Sequence, residues 1–335
     1  MTLSAAQYVA AKVCTRTPPN ATNRERILYD RLGGMTTAHQ GSLSIRSVLD
    51  DFNLVRQNGA EHVCLVHPPL QCTLFAFQRL GGRAVPLPEA LAKVFMRGLL
   101  EALDFLHTEA SATHCDCENA EKNTPSERKL IDEERSIYVS RPFRRPRGHA
   151  YGDVVLCDFG EARIGSSKPW ANIQPEVYKA PEILMQFERY DHAIDVWNAG
   201  CVLWDMLEVD HLFVGEGEEG QHNNRLHMRE IVNLSGEPSS EFLRRSPHSW
   251  RLFDELGKAT ETTYTAARSL LTPNTQGNWK AEPPLAASSL ATRIKHTPEQ
   301  SRAQTLDILS YMLRWLPEDR WTARDLLEHP WLKEH

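Results

Sequence analysis

Hydrophobic positions recur along this chain in two rhythms, a helical one of three to four residues and a strand-like one of two. The longest helical stretch is Pro88–Glu109, where Leu91, Val94, Phe95, Leu99, Leu103 and Leu106 follow one another at three and four. An earlier one, TNRERILYDRL from Thr22 to Leu32, puts Ile27, Leu28 and Leu32 on one face behind Asn23 as a cap. A third, Val196–Glu208, carries Trp197, Val202, Leu203, Met206 and Leu207. Strand-like runs lie at Tyr8–Val13, at Ser47–Phe52 and at His62–Val66, with RQNGAE as the turn between the last two. Val154, Val155 and Leu156 make one more short apolar strand, and Ile137–Val139 a β-like core inside a polar stretch. Strand-like runs with one helix come first, and helical stretches dominate afterwards.

Composition narrows the picture. The chain has 335 residues, 41% hydrophobic and 24% charged, enough for a sizeable core. A formal charge of −6 argues against general nucleic-acid binding and suits a basic peptide partner. The seven cysteines, at 14, 64, 72, 115, 117, 157 and 201, form no CxxC pair. An odd, scattered set predicts reduced thiols and a cytoplasmic or nuclear protein. No apolar run approaches a membrane span, and the first residues lack a secretory pattern, so no membrane association is expected.

The candidate chemistry centres on DVVLCDFGEAR, Asp153 to Arg163. A carboxylate on a tight turn after a buried strand can hold Mg²⁺ against phosphates. Asp158 is that carboxylate; Phe159 is expected to pack inward and Gly160 to let the backbone turn. Ala180-Pro181-Glu182 and DVWNAG, Asp195–Gly200, come after it. In this order the set resembles the eukaryotic protein kinases. The resemblance implies an α+β, bilobal fold, with a partial β-rich small lobe and hinge over 1–70 and a mainly helical large lobe over 71–335. Inserts fall near 117–150 and 256–276. It also implies ATP and Mg²⁺ as cofactors and a protein substrate.

Residue by residue, the resemblance assigns further roles. By itself Lys12 is a solvated lysine on an edge strand, and Glu25 a surface glutamate near a helix start. As part of a kinase, Lys12 reaches the α- and β-phosphates and pairs with Glu25. Eleven residues precede Lys12 and none is glycine, so the sequence reads as starting inside the small lobe, without a glycine-rich hairpin. His67 takes the gatekeeper place, and Pro68-Pro69-Leu70 the hinge. Proline has no N–H, so the backbone donor to adenine falls to Leu70. Asp195 resembles the buried carboxylate that ties the catalytic loop to the central helix. LRWLPEDRWTARDLLEHPWL, Leu313–Leu332, matches the kinase terminus, with Arg320 paired to Glu182 and Thr322 capping a helix.

The catalytic loop departs from the family. Thr113-His114-Cys115-Asp116 keeps the structural His114 and the base, Asp116, but Glu118 replaces a lysine and Glu121 an asparagine. Glu118 adds a like charge beside the transferring group, and Glu121 could serve Mg²⁺ as an oxygen ligand. A metal reading of His107, His114, Cys115 and Cys117 fits no common zinc spacing. Cys115 also stands where many kinases carry an arginine that binds a phosphate on the activation segment, so ordering of that segment without phosphate is expected. Arginines 141, 144, 145 and 147 lie in a solvated basic loop. SIYVSRP, IQPEVYKAPEILM and DVWNAGCVLWDMLEVDHLF look like the SR-protein-specific kinases, implying Arg/Ser-rich substrates and a monomer. Two functions stay open at this point: a serine/threonine kinase, or a pseudokinase or interaction module with the fold and little transfer.

Overall fold

The computed structural model describes residues 9–14, 23–57, 59, 61–70, 72–115, 153–217, 220–249, 252–253 and 288–333, and the backbone of two short strands at 129–130 and 136–137. Asp116, Glu118 and Glu121, the arginines of the basic loop and the 256–276 insert lie outside the described residues.

The first part is a three-stranded antiparallel sheet with one helix on it. Strands β1 (Ala10–Val13), β2 (Asp50–Val55) and β3 (Glu61–His67) stand in the order β1-β3-β2. Lys12 lies opposite Leu65, so both share the face that looks onto helix α1, Arg24–Gly33. Asn23 caps α1 as its position suggests, accepting from the Arg26 amide at 2.9 Å. The second strand starts three residues later than its apolar pattern indicates. Leu49 already donates to Val66 at 2.7 Å, but the continuous ladder begins at Asp50 and runs on to Val55 beside the turn.

The rest of the chain is mainly helical: α2 (Leu74–Gln78), α3 (Glu89–Thr108), α4 (Pro181–Leu184), α5 (Ala193–Glu208), α6 (Asn224–Ser235), α7 (Ser240–Arg244), α8 (Leu290–Arg293), α9 (Glu299–Met312), α10 (Ala323–Leu327) and α11 (Pro330–Lys333). Short two-residue strands intervene: β4 (Ala112–Thr113) pairs with β7 (Arg163–Ile164), β5 (Lys129–Leu130) with β6 (Ser136–Ile137), and β8 (Lys168–Pro169) with β9 (Arg189–Tyr190). The α+β arrangement of a kinase is therefore present. Helix α5 is buried along its whole length and forms the centre of the core with α3, α9 and Trp331.

The chain differs from its pattern in two places that matter for the site. On α3 the buried ladder is Ala92, Met96, Leu100 and Leu103, and Val94 faces solvent. Gly98 lets Val154 approach this helix: a Cβ there would lie 2.9 Å from that of Val154. Val154–Leu156 does not form a strand. Leu156 alone bridges to Ile45, donating to Ser44 at 2.7 Å and accepting from Arg46 at 2.9 Å. Contact with α3 at Gly98 takes the place of a ladder for Val154.

Two buried electrostatic features stabilise the helical part. Arg320 and Glu182 form a two-pronged pair at 2.7 Å on each side, both almost fully buried. Arg320 also donates to the carbonyls of Ala193 and Arg314. We expect Arg320→Met to cost about 3–5 kcal/mol in urea unfolding, because Glu182 is left as a lone buried charge. Adding Glu182→Gln should recover part of the loss.

His227 is fully buried on α6 and shares a 3.0 Å hydrogen bond with His222. Burial first, then the nearby His222 and Lys179, hold its pKa down at about 3. A histidine depressed in the folded state supports folding above its unfolded value of about 6.5 and loses that support as pH falls. The gap opened by pH 5 is on the order of 2 kcal/mol. The melting temperature should therefore fall between pH 7 and pH 5, and less steeply in His227→Gln.

Candidate active site

Three of the residues singled out in the sequence converge. Lys12 Nζ donates to Glu25 Oε2 at 2.7 Å and to Asp158 Oδ1 at 2.7 Å. β1 presents the lysine, the first turn of α1 the glutamate, and the segment after Leu156 the aspartate. Burial acts to lower the Lys12 pKa, but its bonds to Asp158 and Glu25 outweigh that and raise it. Burial would likewise raise the Asp158 carboxyl, and the Lys12 ammonium overrides it to hold it below the ordinary range. Both groups are charged at neutral pH. Glu25 is 4% exposed at its side chain and Lys12 37%, so the pair is fixed on the inside and open on the outside.

The tight turn is made differently from the sequence reading. The left-handed residue is Asp158, at φ 64°, and Gly160 is not in that region. Gly160 serves by its amide, whose N–H supports the Asp158 carboxylate. A non-glycine residue held at positive φ stores backbone strain, a feature that gathers at functional sites.

Phe159 packs inward, fully buried, as its place predicts. Tyr29 meets it edge-on with ring centres 5.5 Å apart, and His114 also meets it edge-on at 5.1 Å. Tyr29 also leans on His67, 5.5 Å away. The stack continues into Asp195, which accepts from the amides of His114 at 2.8 Å and Cys115 at 2.9 Å. His107 adds a ring nitrogen at 2.9 Å. Burial would raise the Asp195 carboxyl, but these donors keep it below the ordinary range. His114 Nε2 lies 3.0 Å from the Cys157 carbonyl, so that nitrogen carries the proton. Burial lowers the pKa of this ring, which stays neutral.

Tyr29 and His107 were not assigned these places from sequence. Tyr29 lies four residues after Glu25, hence on the same helix face, and that spacing was the available signal. His107 gave only its helical position near the end of α3. His67 is buried, with Nδ1 2.9 Å from the Ser47 carbonyl. Leu70 is exposed on the segment after β3, and the nearby Pro68 carbonyl accepts from Arg46 at 3.1 Å.

Downstream, the chain from Ile173 to Pro181 is tied into the helical part. Gln174, at φ 67°, donates through its amide to Cys115 and through Nε2 to Ile194, while its Oε1 accepts from Ala180. Tyr178 donates to Asp205 at 2.6 Å. As a metal ligand, Asp158 supplies one carboxylate that is 41% exposed. Among the described residues no three His, Cys, Asp or Glu side chains gather as a metal cluster. One carboxylate fits Mg²⁺, which commonly takes one or two and completes its shell with phosphates and water. No helix among the described residues is long and apolar enough to cross a membrane.

Comparison with known proteins accords with this geometry. The family model described as protein kinase domain matches residues 5–332. A serine/threonine protein kinase of Aspergillus fumigatus is 33% identical over 333 residues, covering 97% of this chain and 78% of that protein. The mitogen-activated protein kinase HOG1 of Cryphonectria parasitica is 31% identical over 180 residues, 54% of this chain and 41% of its own. Dual specificity tyrosine-phosphorylation-regulated kinase 3 of Mus musculus is 25% identical over 300 residues, 88% of this chain and 44% of its own. With an ammonium, a helix glutamate and a turn aspartate joined in one site, and a family match over nearly its whole length, the chain belongs to the protein kinase family.

Proposed function

We propose that this chain is a serine/threonine kinase that transfers the γ-phosphoryl group of ATP to protein hydroxyls. The observation that carries this reading is the single ammonium of Lys12 bonded to both Glu25 and Asp158. That arrangement fixes a positive charge where the α- and β-phosphates would lie and a carboxylate where Mg²⁺ would lie. Mg²⁺, when bound, supplies charge neutralisation between the β- and γ-phosphates. Leu70 offers its N–H to the adenine edge. Asp116 takes the proton of the substrate hydroxyl, whose oxygen bonds to the γ-phosphorus as the bond to ADP breaks. The lobes meet near residues 67–71.

Substrates rich in Arg and Ser are the proposed class. Support comes from the net charge of −6 and the segments resembling SR-protein-specific kinases. A monomer acting in the cytoplasm or nucleus suits the same reading. A second reading, a pseudokinase, is favoured by one feature: Glu118 and Glu121 stand in place of the family's lysine and asparagine. Two acidic groups there oppose the charge of the transferring phosphoryl group.

Binding is tested by thermal shift. Mg-ATP should raise the melting temperature, and Lys12→Ala and Asp158→Ala should each abolish most of that rise. A rise that survives both changes places the nucleotide elsewhere.

Transfer is tested with γ-labelled ATP and an Arg/Ser-repeat peptide, against a peptide with its arginines replaced. Asp116→Asn should lower the rate by about 10²–10⁴-fold. Glu118→Lys with Glu121→Asn should raise it. Mg-ATP binding with no transfer in either the natural chain or that double variant establishes the pseudokinase reading.

A further inference from the structure

The position before Asp116, where a phosphate-binding arginine stands in many kinases, is Cys115. Its side chain is buried, its thiol bonds the Thr113 carbonyl at 3.6 Å, and burial pushes its pKa up, so it carries no charge to offer a phosphate. A lysine of the activation segment reaches the strand just ahead of Cys115. Lys168, on β8 of the activation segment, is 5% exposed, and its Nζ donates to Oγ1 of the fully buried Thr113 on β4.

This contact joins two small sheets. Thr113 stands opposite Arg163 in the β4–β7 pair, and Lys168 opposite Tyr190 in the β8–β9 pair. Around it, Gly165 donates to the Ser111 carbonyl at 2.7 Å and Gln174 to that of Cys115 at 3.1 Å. A buried ammonium bonded only to a neutral hydroxyl would be costly. Burial lowers the Lys168 pKa, and the nearby carboxylates of Asp195 and Asp191 offset part of that. The usual polarity is therefore reversed: the amine sits on the activation segment, and the hydroxyl that accepts from it belongs to the strand ahead of the catalytic loop. The lysine is part of the chain, whereas a phosphate must be added.

We propose that Lys168 is a positioning residue that holds the strand leading into Asp116 against the activation segment, making a phosphate on that segment unnecessary. Its effect on transfer rests on the kinase reading; the linkage itself does not.

The experiment uses the full unmodified chain and the variants Lys168→Met, Thr113→Val and Thr113→Ser, each measured by hydrogen exchange. The informative amides are those of His114, Cys115, Gly165 and Gln174. Exchange at these should speed up about tenfold or more in Lys168→Met and Thr113→Val, the factor expected for loss of a charged hydrogen bond. Thr113→Ser keeps the hydroxyl and should retain protection, and α3 and α5 should not change in any variant. The Mg-ATP thermal shift, read at Lys12, should also stay the same. In transfer assays kcat should fall in the first two variants while KM for ATP holds. Unchanged exchange in Lys168→Met overturns the proposal, as does loosening spread evenly over α3 and α5. A gain of protection at the same amides in Ser166→Asp/Ser167→Asp overturns it too. If the natural chain transfers no phosphate, the kinase reading fails, and the exchange data still decide the role of Lys168.

Discussion

Everything at the site depends on one buried carboxylate. Asp195 has no solvent exposure, yet it stays ionised because two backbone amides and an imidazole converge on it. Without such donors a carboxylate at this depth would take up a proton. With them it fixes His114 and Cys115 in a backbone shape that no regular element supplies, Cys115 lying at φ 65°. α5 favours the anion at its first turn, where the helix N-terminus carries partial positive charge, and the buried rest of the helix fixes its position.

From that anchor, rigidity passes by contact. His114 presses on Phe159, Phe159 on Tyr29, and Tyr29 belongs to the helix that carries Glu25. Glu25 in turn fixes Lys12, and Lys12 holds Asp158, next to Phe159 in the chain. The circuit is closed, so displacing α1 would disturb the aromatic stack and the ion pairs together. A second closed arrangement, Glu182 with Arg320, ties the end of the activation segment to the chain ahead of α10. Lys168 and Thr113 join the activation segment to β4 between these two. The outcome is an ordered site held by neutral hydrogen bonds, packed rings and internal charges.

Much of this was legible in the residues. Apolar spacing located α1, α3, α5 and β1 to within a few positions, because each buries one face against a larger body and its sequence must show that face. The order of Asp158-Phe159-Gly160, Ala180-Pro181-Glu182 and Asp195 was equally plain, since each performs a local task with particular side chains. Asn23 and Thr322 were readable as caps because a cap is decided within four residues.

Other features arise only when distant segments meet. Val154–Leu156 has the composition of a strand, but α3 at Gly98 lies against it and leaves a single bridge. Glycine announced the turn at Gly160, whereas the left-handed residue is Asp158, held there by Lys12 from 146 positions away. The burial of Lys168 against Thr113 follows from how β4 pairs with β7 and β8 with β9. Sequence determined the elements, the caps and the identity of the charged groups, because these follow from neighbours along the chain. Tertiary structure decided which charges meet and which water leaves, because desolvation depends on everything that packs around a group and not on the group itself.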